Sequence, residues 1–122
     1  PIEAAVGYRI AVDGRLVAIS GDTAVCTGVE LLADGADILI HEAARSDRSS
    51  PQLLDWNASA FSVGVLADAL TLPVTVLTHM LPAPDTEADE HAFVDEIRAS
   101  GYTGDVVLAT DLMRIDLTAA TP

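Results

Sequence analysis

Residues Leu16 to Cys26 read LVAISGDTAVC. An apolar, β-prone run stops at Gly21-Asp22-Thr23, and a segment with helical spacing follows. A second run, VTVLTHM at Val74 to Met80, is rich in β-branched residues and ends on His79. Runs of this length and composition predict strands. Each ends on a residue with chemistry, one Asp and one His, and at a single edge of a parallel sheet the two would meet.

Outward from these runs, YRIAVDGRLVAIS (8–20) predicts a β-hairpin turning at Asp13-Gly14. DTAVCTGVELLADG (22–35) predicts a helix capped by Asp22 or Thr23 and ended by Gly35. ADILIHEA contains a short buried strand, Asp37 to Ile40, leading into His41-Glu42. RSDRSSPQLLDW is a polar loop. NASAFSVGVLADAL predicts a second helix capped by Asn57 or Ser59, and Thr86 opens an acidic amphipathic helix that runs to Ser100. GDVVLAT and MRIDL predict two closing strands. Helices alternating with short apolar strands argue for an α/β layer with a largely parallel sheet and the helices mostly on one side. In such sheets chemistry collects at the carboxyl ends of strands. Asp22, His41, Glu42, His79 and Asp111 all follow predicted strands.

The chain has 122 residues, enough for one modest core, and half of them are hydrophobic. No apolar run is long enough to span a membrane. The start, PIEAAVGYRI, lacks the regions of a secretory signal. Net charge is −13, with 19 acidic residues against 6 basic ones, all Arg. A surface so acidic is expected to repel phosphate backbones. The absence of Lys excludes a P-loop and a Schiff-base enzyme. Cys26 is the single cysteine, which excludes an internal disulfide and a Cys-rich zinc site and fits a reducing, cytoplasmic setting.

Each candidate residue also has a purely structural reading. Asp22 could be an N-cap, and His79 a satisfied core histidine. His41 and Glu42 suit supporting roles beneath the sheet edge, and His91 lies on a polar helix face. Taken together, Asp and His donors without paired Cys suit a divalent ion such as Zn²⁺ or Mn²⁺. Neither a G-x-S-x-G elbow nor a G-x-G-x-x-G loop is present.

Taken in order, GYRI, VAISGDTAVC, GADILIHEA, VTVLTHMLP and GDVVLATDLMRIDL resemble the C-terminal half of metallo-β-lactamase-fold hydrolases, in the ribonuclease Z and arylsulfatase-like branch. The resemblance implies an α/β fold, half of an αββα sandwich: a mixed sheet with helices on one face. It implies two divalent ions, most simply zinc, with Asp22 bridging them and His79 binding one, so that both residues carry the catalysis. Thr23, His41 and Glu42 would support these ligands. Ions so placed lower the pKa of water and stabilise charge on a substrate oxygen.

Two departures from the family pattern shape the expected function. The H-x-H-x-D-H motif of the N-terminal half is absent, and a further His ligand would immediately precede Pro1. The expectation is therefore a chain cut from a longer parent, inactive alone, completed by the missing half or by a homodimer. Where ribonuclease Z-like members have H-S-T, this chain has Asn57-Ala58-Ser59, and Asn is no general acid. With the net charge, this points away from nucleic acid. It favours a small ester, sulfate ester or phosphodiester, with Asn57 lining the substrate pocket. The alternatives are a tRNA 3′-end processing endonuclease, a non-enzymatic protein-binding module, and a self-contained site from Asp22, His41 and His79.

Overall fold

A computed structural model describes residues 5–117. Nine elements follow in chain order: β1 (Tyr8–Val12), β2 (Arg15–Ile19), α1 (Thr27–Ala33), β3 (Ile38–Ala44), α2 (Pro51–Leu54), α3 (Ala60–Ala69), β4 (Val74–Leu81), α4 (Glu87–Ala99) and β5 (Asp105–Leu108). They build one five-stranded sheet in the order β1-β2-β3-β4-β5. β1 and β2 are antiparallel and the other pairs are parallel. This is the expected α/β architecture.

The hairpin turns at Asp13 and Gly14, both at positive φ, as a tight two-residue turn requires. Asp37 then pins β2 against β3: its carboxylate accepts from Leu16 N at 2.7 Å and from Arg15 Nη1 at 3.0 Å. Arg9 reaches from β1 to the end of α1 and donates to the carbonyls of Leu32 and Asp34 at 2.7 and 2.8 Å. These carbonyls belong to the helix end, where intrahelical partners run out.

All three longer helices pack on one face of the sheet. Val29 and Ala33 of α1, Val63 and Leu66 of α3, and Phe93 and Ile97 of α4 share one buried cluster with Ala18, Leu39 and Leu77 of the strands. The other face carries a second cluster, Val17, Ile38, Val74 and Val76, against which Ile115 and Leu117 pack. With apolar residues on both faces, β2 to β4 read as continuous apolar runs rather than alternating ones.

Several boundaries differ from expectation, each for a local reason. α1 starts at Thr27 rather than near Asp22. Its N-cap is Cys26, with no side-chain hydrogen bond, so neither Asp22 nor Thr23 caps it. Ser59, not Asn57, caps α3 by accepting from Ser62 N at 3.0 Å. The polar loop holds a short helix, α2, because Ser50 caps it and Pro51 occupies its first turn. β3 runs on to Ala44, since β4 continues alongside it to Leu81. Met113 to Leu117 form no strand among the described residues; Ile115 and Leu117 instead pack, partly buried, against the sheet face without a ladder.

Candidate metal centre

The carboxyl ends of three adjacent parallel strands form the site. After β2, Ser20 N still bonds Ile40 O at 3.0 Å. The chain then turns at Gly21, whose φ is +72°, and a Cβ there would stand 3.0 Å from the Val6 carbonyl oxygen. Glycine alone takes this conformation without strain. The turn lifts Asp22 off the strand, and its side chain is 63% exposed.

His79 is placed by a different device. Glu42 faces Thr78 across the β3–β4 ladder, and Ala43 faces Met80. His79 is thus the extra residue of a β-bulge, with φ +41°. Bulges re-aim side chains, and a non-glycine residue at positive φ holds strain that clusters at functional sites. The result brings His79 Nδ1 to 3.7 Å from Asp22 Oδ1.

Glu42 completes the group from β3. Asp22, Glu42 and His79 each offer a ligand atom, and the three atoms lie within 4.8 Å of one another. Glu42 is 1% exposed. Its Oε1 accepts from Asn57 Nδ2 at 3.1 Å and from Ala58 N at 3.0 Å. Its Oε2 is buried and receives no hydrogen bond among the described residues. Burial pushes the Glu42 carboxyl above its usual range, opposed by the bonds from Ala58 and Asn57; the Asp22 charge adds to the rise. Two close carboxylates, one with an orphaned buried oxygen, and an imidazole form a set that a divalent cation fits. A cation there would offset the repulsion between the two carboxylates.

The other expected site residues fall in different places. His41 is fully buried on the strand face opposite Glu42, since neighbours on a strand alternate. Its Nδ1 lies 2.7 Å from Glu42 O, and burial lowers its pKa. It is not in the cluster. The Thr23 hydroxyl donates to Ala24 O at 3.0 Å and touches neither ligand candidate. His91 is exposed on α4. Asp111 shares with His79 the lining of a cleft of about 710 Å³, together with Thr78, Glu90 and Thr110. Asn57 is 9% exposed and turns to the carboxylates, donating to Asp22 Oδ1 at 2.7 Å. On sequence grounds Glu42 stands behind the ligands and Asn57 lines the pocket. A strand-face count from Ile40 would put Glu42 on the working side, but nothing in the sequence announces the bulge at His79.

Comparison with known proteins shows what the chain is similar to. Ribonuclease Z of Mycobacterium tuberculosis H37Rv is 30% identical over 126 residues, covering 96% of this chain and 45% of the relative. Ribonuclease Z of Mycobacterium avium is 29% identical over 126 residues, covering 98% and 44%. The chain is similar to ribonucleases Z and has the metallo-β-lactamase fold. The fold also relates it to the solved metallo-β-lactamase fold protein YhfI of Bacillus subtilis, with TM-score 0.69 and 19% identity over 84% of this chain and 40% of that one. Human tRNase Z, short form, gives TM-score 0.61 and 24% identity over 91% and 38%. No family model matches the chain. The chain spans about half the length of the curated relatives it matches.

These relatives overturn one expectation. Charge and the Asn57 position argue against nucleic acid and for a small-molecule ester, yet the matched relatives are ribonucleases by name. Both grounds for that inference fail physically. Net charge sums over the whole surface, whereas a phosphate meets only the site, where a bound cation would reverse the local sign. Asn57 engages two carboxylates, so its inability to protonate a leaving group says nothing about the substrate. Among the described residues, no helix is long and apolar enough to cross a membrane.

Proposed function

We propose that this chain is part of a metal-dependent hydrolase of the ribonuclease Z type, acting on phosphodiester bonds of RNA, with tRNA precursors as the substrate. The observation that carries the reading is the meeting of Asp22 and His79, 3.7 Å apart at one sheet edge, in a chain similar to ribonucleases Z over nearly its whole length. Asp22 and His79 would hold divalent cations, two in number and most simply zinc, with Glu42 close beside them. Bound there, such ions supply Lewis acidity and a lowered pKa of water. The chain's own residues orient and shape the site. The bulge fixes the imidazole, Gly21 lets Asp22 approach, and the cleft lined by Thr78, Thr110 and Asp111 offers room for nucleotides beside the scissile bond.

The chain would contribute the C-terminal half of the sandwich, the remaining ligands coming from an H-x-H-x-D-H half. The exposed, unpaired Cys26 suits a cytoplasmic protein. The test uses the full-length protein. Cleavage of a tRNA precursor should vanish with EDTA, return with Mn²⁺ or Zn²⁺, and be lost in Asp22→Ala. Cleavage that persists undiminished in EDTA, or in the Asp22 variant, would sink the proposal.

A further inference from the structure

Asp22 sits on an exposed turn and caps no helix. Among the described residues its carboxylate has one hydrogen-bond donor besides the more distant His79, and that donor is Asn57 Nδ2 at 2.7 Å. The same nitrogen lies 3.1 Å from Glu42 Oε1. A primary amide carries two N–H groups, so one can serve each carboxylate. The reverse orientation would set the amide oxygen against two acceptors, which settles which way the group points.

The backbone that carries the amide is held firmly. Asn57 N donates to Leu53 O at 2.9 Å, and Ala44 N donates to Ala58 O at 2.7 Å, tying this segment to the end of β3. Glu42 is anchored independently by Ala58 N. Of the three groups, only the Asp22 side chain lacks support from its own surroundings.

We propose that Asn57 is a positioning residue, a two-pronged clip whose amide holds the exposed Asp22 carboxylate in place against the buried Glu42. The inference rests on the metal-centre reading for its purpose, since a carboxylate so held keeps its other oxygen free for a cation without reorganising. The role differs from lining the pocket or binding substrate: Asn57 acts through Asp22.

Two measurements on the full-length protein test it. The first needs no metal. In the metal-free protein the two Asn57 side-chain amide protons give separate NMR signals, and Asp22→Ala should move one of them while the Glu42-bonded proton stays. If neither signal responds, the clip is refuted. The second is Mn²⁺ affinity by calorimetry, with folding checked by circular dichroism. Asn57→Leu, of similar volume but without donors, should weaken Mn²⁺ binding by about 10–100-fold. Asn57→His keeps one donor when neutral and should recover part of the loss. Unchanged affinity in folded Asn57→Leu overturns the proposal. A wild type that binds no Mn²⁺ while the amide signature holds overturns the metal-centre reading and leaves the clip standing.

Discussion

The imidazole of His79 stands 3.7 Å from the Asp22 carboxylate because β4 carries one residue more than β3 between Thr78 and Met80. Without that bulge, the strict alternation of a strand would turn the side chain at this position to the other face. The metal reading of the site depends on this one irregularity, and its consequences can be measured.

Removing either side chain should abolish cation binding and spare the fold. Asp22→Ala and His79→Ala act on groups that are more than half exposed. Surface changes of this kind stay within about 0.5 kcal/mol. In the full-length protein, rates should fall by on the order of 10³-fold, as several kcal/mol of charge stabilisation are lost. Calorimetric Mn²⁺ titration and urea denaturation of each variant separate the two effects. Binding that survives both substitutions would show the ligands are elsewhere.

The strain at His79 predicts an unusual order of stabilities. At φ +41°, glycine relieves the backbone and a β-branched residue aggravates it. His79→Gly should be at least as stable as wild type, and His79→Val less stable by about 1–3 kcal/mol. Urea midpoints of the metal-free proteins decide this; Val as stable as Gly would mean the bulge relaxes freely.

Glu42 should make stability depend on pH. Its folded carboxyl is held above the usual 4.5, first by burial. The unfolded chain then gives up its proton at lower pH than the folded one. Stability from this group is therefore full below about pH 4.5 and is lost as pH rises through the folded value. Glu42→Gln keeps the acceptor for Ala58 and Asn57 without the charge. In EDTA it should melt higher than wild type at neutral pH, and the two curves should close together as pH falls below about 4.5. Parallel melting curves across that range would contradict the assignment.

Gly21→Ala should damage the site through the backbone. A methyl group there meets the Val6 carbonyl at 3.0 Å, and φ is +72°. The expected loss is about 1–2 kcal/mol of stability, with Mn²⁺ affinity reduced as Asp22 is displaced. Wild-type affinity in this variant would show that Asp22 does not depend on the turn.

Much of this protein is legible in the local chemistry of its sequence. Asp13-Gly14 announces the hairpin, Thr86 the start of α4, and the β-branched run at Val74 the strand that carries His79. The motifs around Asp22 and His79 point to the fold and to these residues as the ones to watch. Such features are readable because turns, caps and apolar periodicity are settled by residues near one another in the chain.

What the sequence leaves open is decided by contacts between distant segments. Asp22 has the chemistry of a cap, but α1 begins only at Thr27. By sequence position Glu42 reads as a support and Asn57 as a pocket wall. Only the β3–β4 register and the tie between Ala44 and Ala58 bring them together with Asp22. The net charge likewise suggests a partner that the relatives contradict, since a sum over 122 residues carries no information about where charge meets a ligand. The geometry of a site made from three strand ends is a property of strand order and register, and those are fixed by packing over the whole sheet.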